Sequence, residues 1–185
     1  MKKILIVIDC QKDFIDGSLS NEEAQKKVPN IVKKIEEFDG DAIIYTLDTH
    51  EENYLETKEG EKLPVAHCIR NTEGWMLNDA IADAIDKKVK EGITVDVVEK
   101  PTFGSFELPI EVRALVGNDE FEAEFVGFCT DICVVSNALI LKAAAFETGN
   151  IYVDGNYCAG VTPESHRAAL LTMQMCQINV SNIDK

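Results

Sequence analysis

Short apolar runs alternate with longer amphipathic stretches along the chain, which is typical of strands and helices built around a parallel sheet. Strands are predicted at residues 4–8, 42–47, 94–98, 122–126 and 151–153, with 177–180 as a further candidate. Helical periodicity covers residues 22–38, 76–91, 107–116, 132–147 and 163–175. The last helix opens with Thr162-Pro163-Glu164, a capping residue followed by proline at the first helical position. We therefore predict an α/β fold, a doubly wound three-layer α/β/α arrangement around a central, mostly parallel sheet of about six strands.

No repeat, low-complexity tract or linker rich in proline, glycine or serine divides the sequence, so we expect a single domain over residues 1–185. The long irregular stretch lies at residues 49–75. No apolar run reaches the ~18 residues of a membrane span, and the apolar stretch before Asp9 is too short for a secretory signal. We therefore expect a cytoplasmic protein.

The net charge of the chain indicates which partners to expect, and the spacing of its cysteines indicates the state of its thiols. The chain has 33 acidic and 18 basic side chains, a formal net charge of −15. Such a field repels phosphate backbones and anionic headgroups, so nucleic acids and membranes are not expected partners, whereas a small molecule is. The 6 cysteines lack CxxC spacing, which indicates free thiols. We also expect the chain to form a homo-oligomer.

Polar residues follow four of the predicted strands where each strand ends. They are Asp9, the segment Asp48-Thr49-His50, the pair Glu99-Lys100, and Cys129-Thr130-Asp131-Ile132-Cys133. Because the carboxyl ends of parallel strands share one edge of the sheet, an acid, a metal-binding pair, a lysine and a thiol are expected to converge there.

Three of these residues form a candidate nucleophilic site. Cys133 lies where a strand turns into a helix, and the helix N-terminus favours a thiolate. Asp9, with a raised pKa, could accept the thiol proton, and Lys100 could stabilise negative charge during attack. The structural alternatives are a buried thiol for Cys133, a turn cap for Asp9 and a solvated lysine for Lys100.

Asp48, His50 and His67 supply oxygen and nitrogen ligands that suit zinc, iron or manganese, although they could also be ordinary residues of an acidic loop. Any nearby glutamate could complete the shell, and the sequence does not choose among Glu51, Glu52, Glu56, Glu59 and Glu61. Aromatic residues flank the same loops and could form either a slot for an aromatic substrate or ordinary core; they are Phe14, Phe103, Phe106 and Trp75. For the substrate pocket we favour Phe14 and Phe103.

Three segments resemble the isochorismatase-like cysteine hydrolases. They are Ile8-Asp9-Cys10-Gln11-Lys12-Asp13-Phe14, then Lys100 with Phe103-Gly104-Ser105-Phe106, then Gly127-Phe128-Cys129-Thr130-Asp131-Ile132-Cys133-Val134. The resemblance implies a catalytic triad of Asp9, Lys100 and Cys133. It also implies a non-proline cis peptide bond at Phe128–Cys129, which helps to aim the backbone amides of Cys129 and Cys133 at an oxyanion.

Within that family, Asp48-x-His50 with the later His67-Cys68 and Asn71-Thr72-x-Gly74 resembles the nicotinamidase (pyrazinamidase) branch. That branch binds a divalent metal, usually zinc, through an aspartate and two histidines, which implies a site at Asp48, His50 and His67; manganese or iron are alternatives. Two departures bear on substrate choice. Pro64-Val65-Ala66 replaces the usual Trp-Pro before the second histidine, and Phe103 stands where many relatives carry tyrosine.

The resemblance implies a metal-dependent amidohydrolase that converts nicotinamide to nicotinate and ammonia through a cysteine thioester, as in NAD salvage. One alternative is a hydrolase of the same family that acts on another small amide, a carbamoyl compound or a vinyl ether. A second is a catalytically silent binding protein on the same fold.

Overall fold

The computed structural model describes residues 1–145 and 147–184, which form a six-stranded parallel sheet in the order β3-β2-β1-β4-β5-β6. The strands are β1 (Lys2–Ile8), β2 (Ala42–Asp48), β3 (Thr94–Lys100), β4 (Phe121–Phe128), β5 (Gly149–Ala159) and β6 (Asn179–Ser181). The strand order reverses between β1 and β4, and the carboxyl ends flanking such a switch point form a crevice where ligands bind in doubly wound folds.

Helices cover both faces of the sheet, as predicted. They are α1 (Lys12–Ile15), α2 (Glu22–Glu37), α3 (Asp79–Lys90), α4 (Glu107–Val116), α5 (Val135–Ala144) and α6 (Pro163–Met175), with a 3-10 turn at Tyr54–Glu56 and a π-helical turn at Thr130–Val134. Alternate side chains of β1 enter opposite cores, because successive residues of a strand point to opposite faces. Ile6 packs with residues of α4, α5 and α6, whereas Leu5 packs with residues of α2 and α3. The three-layer prediction is confirmed.

Two helix predictions are wrong at their ends. The helix expected from residue 76 begins at Asp79, because the side chain of Asn78 accepts a hydrogen bond from the Ala80 amide and caps it. The helix expected at 132–147 is a π-helical turn followed by α5, which ends at Ala144. Phe146, which that prediction included, lies outside the described residues.

Strand β5 is longer than its apolar run of residues 151–153 indicated. It pairs with β4 at Val153 and again at Cys158, with a shift of register between them. Asp154, Gly155 and Asn156 follow Val153 directly, and they ended the apolar pattern early. The strand therefore continues through an irregularity that periodicity does not detect.

The irregular stretch at residues 49–75 is held by specific hydrogen bonds rather than by long elements. The His50 amide donates to the Cys68 carbonyl at 3.0 Å, and the Arg70 amide donates to the His50 carbonyl at 2.8 Å. Asp13 accepts a hydrogen bond from the Cys68 amide at 2.7 Å. These contacts bring His67 back to the end of β2. In the described ranges, no helix is both long and apolar enough to cross a membrane.

Candidate active site and metal centre

Asp9, Lys100 and Cys133 meet at the carboxyl edge of the sheet beside the switch point. Lys100 Nζ lies 2.6 Å from Asp9 Oδ2 and 3.6 Å from Cys133 Sγ. All three residues are buried, with exposed fractions of 0%, 1% and 4% for Asp9, Lys100 and Cys133. The convergence expected from strand topology is therefore present in the fold, and the structural alternative of a solvated Lys100 is excluded.

The position of Asp9 depends on local backbone geometry and on a neighbour in β2. Asp9 has a left-handed backbone conformation, with φ 45°, directly after β1. The Thr46 hydroxyl donates to Asp9 Oδ1 at 2.6 Å, and the Asp9 amide donates to Thr46 Oγ1 at 3.1 Å. Sequence reasoning missed Thr46, because a threonine inside an apolar strand carries no signal of its partner.

Burial and charge set the protonation of the three groups. Burial raises the pKa of Asp9 although the charge of Lys100 lowers it, and Asp48 adds a further rise. The pKa of Lys100 is raised, since the negative charges of Asp9 and Asp48 outweigh its burial. Burial, together with the charge of Asp9, raises the pKa of Cys133 well above its usual value despite Lys100. Desolvation of Sγ therefore favours the neutral thiol and opposes the helix N-terminus, so the favouring of a thiolate by that helix stays a prediction.

The turn that carries Cys133 is built from several backbone constraints. The peptide bond between Phe128 and Cys129 is cis, as the resemblance implied. The Ile132 and Val134 amides both donate to the Cys129 carbonyl, at 3.1 and 3.0 Å. The oxyanion role of the Cys129 and Cys133 amides stays a prediction.

Helix α6 supports this turn from outside. His166 Nδ1 lies 2.8 Å from Thr130 Oγ1, and the Val161 amide donates to both carboxylate oxygens of Asp131 at 3.1 Å. Helix α6 and the segment just before it therefore contact the side chains of two residues of the turn, Thr130 and Asp131.

A second cluster lies beside the first and contains the predicted metal ligands. One ligand atom from each of Asp48, His50, Glu59 and His67 lies within 4.8 Å of the others. Asp48 Oδ2 is 3.1 Å from His50 Nε2 and 3.5 Å from His67 Nε2. Asp48 Oδ1 is also 3.4 Å from Lys100 Nζ, so the cluster and the candidate nucleophile share one buried lysine.

Of the five glutamates among which the sequence does not choose, Glu59 is the one that lies in the cluster. Glu59 Oε1 is buried and has no hydrogen-bond partner within the described residues, although it lies 3.6 Å from His50 Nε2. The other four glutamates of the loop are exposed: Glu51, Glu52, Glu56 and Glu61. No spacing rule singles out Glu59, because the loop that brings it back has no periodic structure.

The donor set fits a divalent ion. His67 Nδ1 must donate to the Val65 carbonyl, 2.8 Å away, so Nε2 is the nitrogen that faces the cluster; it donates to Asp48 when protonated and offers a lone pair to an ion when the ring is neutral. Burial opposes the charge of Asp48, but hydrogen bonds to His50 and His67 outweigh it and hold the pKa of this carboxyl well below its usual range. Two imidazole nitrogens and two carboxylate oxygens suit zinc, manganese or iron.

Gln11 fixes the backbone of Asp48 from both sides. Its Nε2 donates to the Asp48 carbonyl at 2.8 Å, and its Oε1 accepts from the Asp48 amide at 2.7 Å. Gln11 is fully buried and belongs to the segment after β1. The loop that follows Asp9 therefore also positions Asp48, the first of the candidate metal ligands.

The aromatic residues differ in their placement. Phe14 is buried, with its ring centroid 5.7 Å from that of His67. Phe103 is 42% exposed. Phe106 is 83% exposed, so the expectation that it lines a slot or packs in the core is wrong; it directly precedes α4 and points to solvent. Trp75 Nε1 donates to Thr49 Oγ1 at 2.8 Å, which ties the two ends of the irregular stretch together.

A family match and a related protein point to the same family for this chain. Residues 3–184 match the family described as the isochorismatase domain. The uncharacterized isochorismatase family protein PncA of Bacillus subtilis (strain 168) is 31% identical over 179 residues, which cover 92% of this chain and 93% of that protein.

Solved structures resemble the fold over almost its whole length. The nicotinamidase/pyrazinamidase PncA from Bacillus subtilis has a TM-score of 0.78 at 28% identity, covering 98% of this chain and 100% of that chain. The pyrazinamidase of Pyrococcus horikoshii, solved in complex with zinc, has a TM-score of 0.74 at 25% identity, covering 97% and 98%.

Proposed function

Because the chain belongs to the isochorismatase family, we propose that it is a cysteine amidohydrolase that converts nicotinamide and water to nicotinate and ammonia, as in NAD salvage. The observation that carries this proposal is the buried contact of Lys100 with both Asp9 and Cys133, at 2.6 and 3.6 Å, beside a cluster of two carboxylates and two imidazoles. The similarity to solved nicotinamidases and pyrazinamidases supports the choice of substrate.

The first half of the proposed reaction transfers the acyl group to sulfur. Asp9 accepts the Sγ proton as Cys133 attacks the amide carbon, and the carbonyl π electrons move to the oxygen. The raised pKa of Asp9 strengthens it as a base, while charged Lys100 stabilises the sulfur as it becomes negative. The amides of Cys129 and Cys133 would bind the oxyanion, and such a fixed donor typically lowers a barrier by about 3–4 kcal/mol.

Collapse of the tetrahedral intermediate breaks the C–N bond. Asp9 returns its proton to the nitrogen, ammonia leaves, and a thioester to Cys133 remains. In the second half a water gives a proton to Asp9 and attacks the thioester carbon. The C–S bond then breaks, Asp9 returns the proton to sulfur, and the acid product leaves.

The four-residue cluster would bind a divalent ion through Asp48, His50, Glu59 and His67. Such an ion would supply a Lewis acid for the ring nitrogen of the substrate or for a water. We propose zinc, with manganese or iron as alternatives, since the Pyrococcus horikoshii relative was solved with zinc. Phe14 contacts His67 and would pack against the substrate ring.

The test is ammonia release from a small panel of amides by protein loaded with zinc and by protein treated with a chelator. The panel contains nicotinamide, benzamide and a carbamoyl amino acid; benzamide has the size of nicotinamide but lacks the ring nitrogen. We expect the zinc-loaded protein to hydrolyse nicotinamide fastest, and the chelator to slow it. Faster hydrolysis of the carbamoyl compound would favour the other-substrate alternative, and no hydrolysis of any amide would favour a vinyl ether substrate or a binding protein.

A further inference from the structure

Asn137 lies one helical turn after Cys133 and connects two segments of the site. Its side chain is fully buried and makes three hydrogen bonds to backbone groups. Nδ2 donates to the Phe103 carbonyl at 3.0 Å and to the Cys133 carbonyl at 2.8 Å. Oδ1 accepts from the Ser105 amide at 3.0 Å. One side chain thus joins the helix that follows the nucleophile to the loop that follows Lys100.

Within the described residues, that loop has two other hydrogen bonds: Lys100 Nζ donates to the Thr102 carbonyl at 3.1 Å, and the Glu107 amide donates to Ser105 Oγ at 3.0 Å. The loop leaves β3, which is the edge strand of the described sheet, and residues 101–106 belong to no helix or strand. The loop also runs very close to α5: a Cβ added at Gly104 would lie 2.6 Å from Ile140 Cδ1 and 3.3 Å from Ser136 Cβ. Glycine at this position permits the approach, and Asn137 supplies the hydrogen bonds that fix it.

The position of Phe103 depends on the hydrogen bonds of Asn137 more than the position of Lys100 does. Lys100 is the last residue of β3, in register with Asp48 of β2, and its ammonium group contacts Asp9 directly. Phe103 lies outside the sheet, its side chain is 42% exposed, and its carbonyl is held by Asn137. Loss of the Asn137 side chain should therefore displace Phe103, whereas Lys100 keeps its strand register and its contact with Asp9 and loses at most its bond to the Thr102 carbonyl.

We propose that Asn137 is a positioning residue that sets substrate affinity by fixing the backbone of Phe103 beside the nucleophile helix. This inference rests on the proposed amide hydrolysis, and Asn137 acts on the substrate only through Phe103. Asn137 touches neither the thiol nor the carboxylate of Asp9 in this account. Its effect should consequently appear in the binding of the substrate ring rather than in the chemical step.

The test compares Asn137→Ala with Asn137→Thr. A threonine hydroxyl can bond the carbonyl four residues earlier, that of Cys133, but cannot reach the loop. We expect both variants to raise KM for nicotinamide by about tenfold or more while kcat changes by less than about threefold. Asn179→Ala is the control, because Asn179 Nδ2 also donates to a backbone carbonyl, that of Ile151, in the distant strand β6.

A double-mutant cycle then asks whether Asn137 acts through Phe103. In a Phe103→Ala background, Asn137→Ala should raise KM by less than about twofold further. Full additivity of the two changes, or a loss confined to kcat, would overturn the inference. If Asn137→Ala fails to fold, Asn137→Thr carries the same cycle.

Hydrogen exchange separates this inference from the proposed function. Removing the acceptor of the Ser105 amide should speed exchange in a peptide covering residues 101–106, and Asn179→Ala should not. A wild-type protein that hydrolyses no amide would contradict the proposed function, and the inference would then be judged on exchange alone. Unchanged exchange in Asn137→Ala and Asn137→Thr would overturn it.

Discussion

Asp9, Lys100 and Cys133 are almost completely buried. Their burial shifts the pKa values that decide which of them holds a proton. Burial raises the pKa of both the acid and the thiol, whereas the lysine remains charged. The proton of Cys133 therefore has an adjacent acceptor of strengthened basicity, and the positive charge stays close to sulfur throughout. Under the proposed mechanism the three groups would therefore act as one unit.

Non-additive loss of activity follows from that arrangement. Asp9→Asn keeps the shape of the side chain but cannot accept a proton, and Lys100→Met removes the charge; each should lower kcat/KM by about a thousandfold or more. The double variant should fall by less than about tenfold beyond the worse single variant, measured by nicotinate formation. Lys88→Met is a matched control, because Lys88 is also a buried lysine in an ion pair, with Glu91 at 2.8 Å. Losses of a few-fold that multiply in the double variant would contradict a shared role.

The residues that follow a strand end could be predicted from the sequence, and those that support them could not. Asp9, Asp48 and Lys100 each stand at or just after the end of an apolar run, and topology brings strand ends together. Thr46 and Asn137 lie inside a strand and a helix, where nothing in the local pattern marks their partners 37 and 32 residues away.

At the scale of elements, the irregular segment between β2 and α3 contributes Glu59 and His67 to the candidate metal cluster. Its shape is set by particular hydrogen bonds, such as that of the Cys68 amide to Asp13. The periodicity of apolar residues does not predict single hydrogen bonds between distant segments. The sequence consequently identified the histidine by its residue type but could not choose one glutamate from five.

Glu59 should contribute to metal affinity. Glu59→Gln keeps its size but removes a carboxylate ligand, so zinc should bind at least about tenfold more weakly by calorimetric titration. Glu61→Gln is the control, because Glu61 lies two residues away on the exposed side of the loop. Equal zinc affinity in the two variants would show that Glu59 is not a ligand.

The junction of β1 and β4 also depends on one glycine. Gly127 has φ 121°, and a Cβ there would lie 2.1 Å from the Ile8 carbonyl oxygen, directly before Asp9. Gly127→Ala should therefore separate the two strand ends, with a loss in unfolding free energy clearly above the roughly 1 kcal/mol expected for alanine at positive φ.

Gly92→Ala serves as the control, because it introduces backbone strain at a positive φ without the steric clash that a Cβ makes at Gly127. Gly92 has φ 92°, but a Cβ there would meet nothing within 4 Å. We expect Gly92→Ala to cost about 1 kcal/mol and to retain activity, whereas Gly127→Ala loses both stability and turnover in urea titrations and rate assays. Similar behaviour of the two variants would refute the role of close packing at Asp9.

For the whole molecule, the parallel direction of the strands is the feature that the sequence predicted best, because alternation of strands and helices admits few topologies. The sequence predicted strand β5 only over residues 151–153, since its middle carries Asp154, Gly155 and Asn156. Its continuation depends on pairing with β4 and β6, which is tertiary information.

Buried thiols should make the fold sensitive to alkali. The pKa values of Cys10, Cys68, Cys133 and Cys158 are raised by burial, that of Cys158 to about 12. Their stabilising contribution is complete below the unfolded thiol pKa of about 8.5 and declines as pH rises towards the folded value, by up to about 1.4 kcal/mol per pH unit for each thiol.

Urea unfolding between pH 8 and pH 10 measures this decline. Cys158→Ala removes one buried thiol and should reduce the slope of unfolding free energy against pH by up to about 1.4 kcal/mol per unit, whatever its effect on stability at pH 8. Cys176→Ala is the control, because Cys176 is exposed. A slope unchanged in both variants would contradict the account of buried neutral thiols.

The central claim is that Cys133 forms the covalent bond to the substrate, and the rate of nicotinate formation from nicotinamide by zinc-loaded Cys133→Ala tests it most directly. Cys158→Ala, assayed beside it, removes another buried thiol that lies outside the triad. We predict that Cys133→Ala keeps its fold and loses turnover by about ten-thousandfold or more, while Cys158→Ala retains turnover. A folded Cys133→Ala protein that forms nicotinate within about tenfold of the wild-type rate would contradict the thioester mechanism.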